Sequence, residues 1–294
     1  MFLTACFGVK AEFAEEKTRA AHFVFGILDV VRRLLIRPGG IGDFIVSIPA
    51  MECLRTDYLE VWTTARNVPL ARFADRARSI SSTGLDLLGV TAPLAALVDQ
   101  LRRFDSIVSW YGAGRPDFGE LVQSLGLPFT FLSALPPGGM HAADFYLEQV
   151  SRIANCTSDG IPRIACPMAR ENFAVIQPFS GSPKKNWPLE KFRSLASQLV
   201  RIMPVHWCSG PDDPPLPGAT HMDDLYELAC WLARSRLYIG NDSGITHLAA
   251  AVGTPVLALF GPTDPAVWGP RGPNVRMAHF TAMDRNPSPP HVST

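Results

Sequence analysis

From Arg33 to about residue 263 the chain alternates short apolar, β-branched runs with amphipathic ones. That alternation limits its fold more than any other feature. RLLIR, LEVWTT, DSIVSWYG and LPFTFLSAL read as strands. Between them FIVSIPAMECLR, VPLARFADRAR, LAALVDQLRRF, FGELVQSLG and HAADFYLEQVSRIA read as helices, with Pro49 implying a kink or a late start in the first. Strands that alternate with helices need crossover connections, which give parallel sheets covered on both faces.

Residues 155 to 172 hold turn formers, prolines and no period, and read as a linker. A second alternation follows: FAVIQPF strand, LEKFRSLASQLVR helix, PVHWCSGP strand, DDLYELACWLARS helix. It continues through RLYIG strand, THLAAAVG helix and PVLALFG strand, and fades after Pro270. The chain of 294 residues exceeds the usual size of one domain. The expected organisation is an N-terminal extension over 1–32, Rossmann-like domains over 33–165 and 172–275, and a flexible tail over 276–294. Two such halves facing a cleft would bind substrates at the carboxyl ends of their strands.

Lys plus Arg and Asp plus Glu are equal at 27 each, so no net field draws the chain to nucleic acid. Cys6, Cys53, Cys156, Cys166, Cys208 and Cys230 are scattered, without CxxC or zinc-type spacing. They read as reduced thiols of a cytoplasmic protein. No apolar run approaches the ~18 residues of a membrane span.

Three turns at strand ends have unusual composition. The first, Arg37 to Asp43, holds Gly39, Gly40 and Gly42, which let backbone approach a ligand, and Asp43 at a helix mouth. It matches neither G-x-G-x-x-G nor the P-loop. The second, Pro178 to Pro188, offers Ser180, Gly181, Ser182 and Lys185 to a diphosphate; a solvated loop is the plain alternative. The third, Asp242-Ser243-Gly244, opens a helix at whose mouth backbone N–H groups and the helix dipole favour phosphate. Taken singly, Asp242 or Ser243 is as well explained as an N-cap, and His247 as a packed side chain. Gly210-Pro211-Asp212-Asp213 either contacts a base or ribose or merely turns. The chain has no D-x-D pair and no H-E-x-x-H, so no metal or cofactor is expected, and leaving-group charge falls to Lys185, hydroxyls and a helix N-terminus.

Together and in order, RPGGIGDFIVSIPAMECLR, PFSGSPKKNWPLEKF and NDSGITHLAAAVGTPVLALFGPTDP resemble the heptosyltransferases of glycosyltransferase family 9. The resemblance spans about residues 33 to 270. It implies the GT-B fold and metal-independent, inverting transfer of a heptose or related sugar from an ADP-sugar. The implied acceptor is a hydroxyl of the lipopolysaccharide core or another cell-envelope glycan. Asp43 falls at the family's catalytic-base position and Lys185 at its diphosphate lysine. Ser180, Gly181, Asp242, Ser243, Gly244 and His247 fall at donor-binding positions, and Asp212 or Asp213 at an acidic position near the adenosine. The implied partners are the ADP-sugar and a glycan or lipid-linked acceptor, which would bring a cytoplasmic enzyme to the inner membrane as a peripheral protein. A GT-B epimerase or hydrolase and a non-catalytic sugar-nucleotide binder are the alternatives.

Overall fold

The computed structural model describes residues 30–90 and 95–281. Among the described residues ten strands form two five-stranded, wholly parallel sheets. The first has the order β3-β2-β1-β4-β5, built from β1 (Arg32–Ile36), β2 (Tyr58–Thr63), β3 (Arg76–Ser79), β4 (Ser106–Ser109) and β5 (Phe129–Phe131). The second has the order β10-β9-β8-β6-β7, from β6 (Ala174–Gln177), β7 (Val205–Trp207), β8 (Leu237–Asn241), β9 (Val256–Phe260) and β10 (Val275–His279). The expected fold class is therefore the observed one.

Each sheet reverses its strand order once, between β1 and β4 in the first and between β6 and β8 in the second. At such a reversal the connections leave in opposite directions and open a crevice at the carboxyl ends of the strands. The turns after β1, β6 and β8 are the three singled out by composition.

Alternation along β1 explains how the layers pack. Leu34 and Ile36 enter one cluster with Trp62 and Phe118, while Leu35 points the other way. Leu35 belongs to a cluster that continues through α1 (Ile41–Cys53) and α7 (Gly244–Ala251) to Tyr238 and Phe260 of the second sheet. The two sheets thus share one apolar core. A further cluster, with Ile176, Phe192 and Ile239, covers the far face of the second sheet under α5 (Leu189–Leu199). The remaining helices are α2 (Ala95–Leu101), α3 (Pro116–Ser124), α4 (Ala142–Ser151), α6 (Leu225–Arg234) and α8 (Pro265–Trp268).

Several expectations change. VPLARFADRAR is not a helix: a 3₁₀ turn over Ala65–Leu70, containing Pro69, is followed by β3. Proline inside the segment denies it an α-helical hydrogen bond, and pairing with β2 recruits polar RARS as an edge strand. α1 starts at Ile41 and runs unbroken through Pro49. The tail expected from 276 begins instead inside β10, and Phe280 is buried. Cys53 and Cys156 form a disulfide across 103 residues, Cα–Cα 5.1 Å, which corrects the reading of both as reduced thiols. Scattered spacing carries no information about such a long-range pair. Cys166, Cys208 and Cys230 are free. Cys6 and the N-terminal extension lie outside the described residues, apart from Val30 to Arg32. No helix among the described residues is long and apolar enough to cross a membrane.

Candidate active site

A cavity of about 790 Å³ is lined by all three turns. From the first sheet come Gly40, Ile41, Gly42 and Asp43. From the second come Ser180, Gly181, Lys185, Asp212, Asp242, Ser243, Gly244 and His247. Of the candidate binding residues singled out in the sequence, Gly39 and Ser182 do not line it. Gly39 shapes its rim: φ of +136° is a conformation that residues with a Cβ rarely adopt.

Asp43 sits at the third position of α1, and its Oδ2 accepts from the Gly40 N–H at 3.1 Å. That bond fixes the carboxylate at the helix mouth while leaving its other oxygen free of it. The first turns of α1 and α7 then meet closely, Gly42 and Gly244 leaving room for the His247 and Ile41 side chains. A Cβ on Gly244 would lie 2.6 Å from Ile41 Cβ and 3.0 Å from the Gly42 nitrogen; one on Gly42 would lie 3.2 Å from His247 Cδ2. Glycine at both positions is what lets two helix N-termini open onto one cavity.

On the other wall, Ser243 caps α7 by accepting from the Thr246 N–H at 3.3 Å. Beneath it lies a buried polar layer: the Tyr238 hydroxyl donates to Gln177 Oε1 at 2.8 Å, and Ser243 Oγ donates to the same oxygen at 3.1 Å. Asn241, fully buried, donates to the Pro178 carbonyl at 2.7 Å and accepts from the Trp187 N–H at 2.9 Å. It therefore staples both ends of the loop that carries Ser180 and Lys185. Ser180 Oγ lies 2.9 Å from the Ser182 carbonyl and 2.8 Å from Asn186 Oδ1, so its one proton serves the shape of that loop.

Lys185 Nζ donates to Asp242 Oδ2 at 2.7 Å, with Asp242 buried and Lys185 about one-third exposed. An ammonium has three donors, so this pair holds the lysine in the cavity and leaves it others for a ligand. His247 is buried, and desolvation drives its pKa down to about 4, with Asp242 opposing. The ring is neutral at physiological pH and suits hydroxyls better than phosphate. Asp213 folds back on the Gly210 N–H at 2.6 Å, whereas Asp212 reaches Arg66 of the first half at 2.9 Å. Cys208, Met222, Leu225 and Leu228 give one end of the cavity an apolar floor.

Arg66, Gln177 and Asn241 had no expected role. A polar residue closing an apolar strand, as Gln177 and Asn241 do, is a usable signal. Arg66 has none, because its partner is 146 residues away. Among the described residues no group of three or more His, Cys, Asp or Glu side chains could hold a metal ion.

The family model for glycosyltransferase family 9 (heptosyltransferase) matches residues 216–289, which include the Asp242–His247 wall. A lipopolysaccharide heptosyltransferase 3 of Escherichia coli is 33% identical to this chain over 135 residues, 40% of the chain and 39% of the relative. The chain thus matches about two-fifths of the length of that curated relative. Among solved structures, the glycosyl transferase family 9 from Veillonella parvula DSM 2008 superposes with a TM-score of 0.67 at 20% identity, covering 87% of each chain. E. coli heptosyltransferase WaaC with ADP superposes with a TM-score of 0.64 at 17% identity, covering 85% of this chain and 93% of its own. At such identities the superpositions speak for the fold alone.

Proposed function

We propose that the chain is a heptosyltransferase that moves a heptose, with inversion, from ADP-heptose to a hydroxyl of the lipopolysaccharide core. The observation that carries the reading is the meeting of the Asp43 turn with Lys185, Asp242, Ser243, Gly244 and His247 on one cavity. The ADP in the WaaC structure, a fold relative, supports an adenosine diphosphate donor.

The acceptor hydroxyl attacks the anomeric carbon from the side of the first sheet, and Asp43 takes its proton as the new C–O bond forms. The bond to the β-phosphate breaks on the opposite side. Lys185 and the N–H groups of α7's first turn stabilise the departing ADP. Asp43 comes from the first sheet and Lys185 from the second, an arrangement compatible with in-line attack and inversion. Asp242 holds Lys185, and neutral His247 meets a sugar hydroxyl. No metal enters this scheme, so a chelator should leave the rate unchanged.

The test is a transfer assay with ADP-heptose and a heptose-deficient core acceptor, the product linkage being read by NMR. Asp43→Asn should lower kcat by about 10² to 10⁴-fold with ADP affinity retained within a few-fold. An Asp43→Asn variant that transfers at the wild-type rate would remove Asp43 from the mechanism. Heptose release from donor alone, as fast as with acceptor, would replace the transferase with a hydrolase.

A further inference from the structure

The carboxyl edge of the second sheet sets an order along the cavity. Its strands run β9, β8, β6, β7, all parallel, so the turns that follow them stand side by side at about 4.8 Å per strand. Each turn brings residues to the cavity: Cys208 after β7, Lys185 after β6, His247 after β8 and Trp268 after β9. A sugar nucleotide is likewise a series, of nucleoside, diphosphate and sugar. With the diphosphate between Lys185 and the mouth of α7, nucleoside and sugar leave toward opposite ends. The sugar end is the one that Asp43 serves, and α1 meets α7 there: a Cβ on Gly42 would lie 3.2 Å from His247 Cδ2. The nucleoside then takes the apolar floor at the β7 end, and the next turn beyond α7 on the sugar side is the one after β9.

Trp268 closes the short helix α8 in that turn and is half-buried. It packs on the core shared by the two sheets and also lines the cavity. Its backbone is held on both sides. Asp264 caps α8 by accepting from the Ala266 N–H at 2.8 Å, and Gly269 is packed so closely that a Cβ would lie 2.6 Å from Met277 Sδ and from the Pro265 carbonyl. The first half grips the same segment. His141 Nε2 lies 2.8 Å from the Gly269 carbonyl, and Asp144 accepts from both Nη groups of Arg271, at 2.7 and 2.5 Å. An aromatic ring fixed in this way offers a flat apolar surface with little freedom left to lose on binding.

We propose that Trp268 is a specificity-determining residue whose indole packs against the C–H face of the transferred sugar, contributing to affinity for ADP-heptose but not for ADP. This rests on the glycosyltransferase reading. A pyranose carries hydroxyls around its edge and C–H groups on its faces, so it calls for a polar partner and an apolar one. His247, from the turn after β8, takes a hydroxyl; Trp268, from the adjacent turn, takes the apolar face, whose removal from water favours binding.

The experiment is calorimetric titration of the full chain with ADP and with ADP-2-deoxy-2-fluoro-heptose, whose fluorine slows loss of ADP by disfavouring an oxocarbenium-like transition state. The KM for acceptor is measured alongside with ADP-heptose as donor. Trp268→Ala should weaken binding of the fluorinated donor about tenfold, as truncation of a buried aromatic anchor does, and leave ADP affinity unchanged. Trp268→Phe, which keeps a ring, should retain most of the donor affinity. ADP binding weakened as much as donor binding, the signature of a merely structural role, overturns the proposal, and so does donor affinity that Trp268→Ala leaves unchanged. A raised acceptor KM with donor affinity intact assigns the indole to the acceptor and overturns it too. Should Trp268→Ala not fold, Trp268→Leu, which keeps apolar volume without a flat face, is judged by the same criteria. A wild-type chain that binds neither ADP nor the fluorinated donor defeats the glycosyltransferase reading itself, an outcome distinct from every Trp268 result.

Discussion

Asn241 shows how one side chain can govern a site it never touches. It lies under the cavity wall and satisfies the Pro178 carbonyl and the Trp187 N–H at the two ends of the lysine-bearing loop. Asn241→Ala leaves both groups without that partner, at about 1–3 kcal/mol for each buried group. The expected result is a lower melting temperature and weaker ADP binding, because Lys185 is no longer presented by a fixed loop. An alanine variant with the wild type's melting temperature and ADP affinity would show that the loop holds itself. The Lys185–Asp242 pair works at the same scale: the buried carboxylate selects the lysine's position, and the lysine's exposed side meets solvent or ligand.

At the scale of elements, the decisive contact is between the first turns of α1 and α7. Gly244→Ala would place a methyl group within 2.6 Å of Ile41 Cβ and 3.0 Å of a backbone nitrogen. Neither is the far end of a flexible side chain, so the helices must separate. Donor affinity and transfer rate should both fall, and the melting temperature should drop by the several degrees that about 1–3 kcal/mol of overpacking implies. An alanine variant indistinguishable from wild type in calorimetry and assay would mean that the mouth opens at no cost.

Most of the scaffold was legible at this scale, because β1, β2, β4, β6, β8 and β9 are apolar runs whose period is unambiguous. β3 was not, since RARS is a polar edge strand defined by its pairing with β2. β10 was missed for a related reason: VRMAH lies beyond the prolines and owes its place to pairing with β9. The site turns could be read because glycine, hydroxyl and lysine clusters at strand ends have a local explanation. Arg66 and the Cys53–Cys156 link could not, as their partners are set by the tertiary fold.

At the scale of the whole molecule, stability depends on pH through two histidines that burial keeps neutral. Desolvation lowers His247 to about 4 and lowers His141, whose Nδ1 accepts from the Ala143 N–H at 3.1 Å while Nε2 lies 2.8 Å from the Gly269 carbonyl. In the unfolded chain both would titrate near the ordinary histidine value, so below about pH 6.5 the unfolded state binds more protons. Stability is intact above that pH and declines toward pH 4, His247 alone accounting for roughly 3 kcal/mol. Denaturant melts at pH 7 and pH 4.5 should show the loss, and His247→Gln should reduce it. A flat profile between those values would contradict the burial argument.

The Cys53–Cys156 link should also register globally, because closing a loop of this length constrains the unfolded chain by about 5 kcal/mol in the chain-entropy account. A reductant, or Cys53→Ser, should lower the melting temperature accordingly. An unchanged melt under reductant would mean that the link does not form in solution.

The seam between α1 and α7 also bears on how such a chain can diversify. An enzyme with separate donor and acceptor halves has an obvious route to novelty: exchange one half, keep the other, and join a new acceptor to an old donor. Here Gly42, Gly244 and Ile41 lie at a meeting point of the halves, and residues of both belong to one core. A half borrowed from a relative with a bulkier residue at this seam would arrive without a partner shaped to receive it. Exchanging either half would therefore require a matching residue on the other side of this seam.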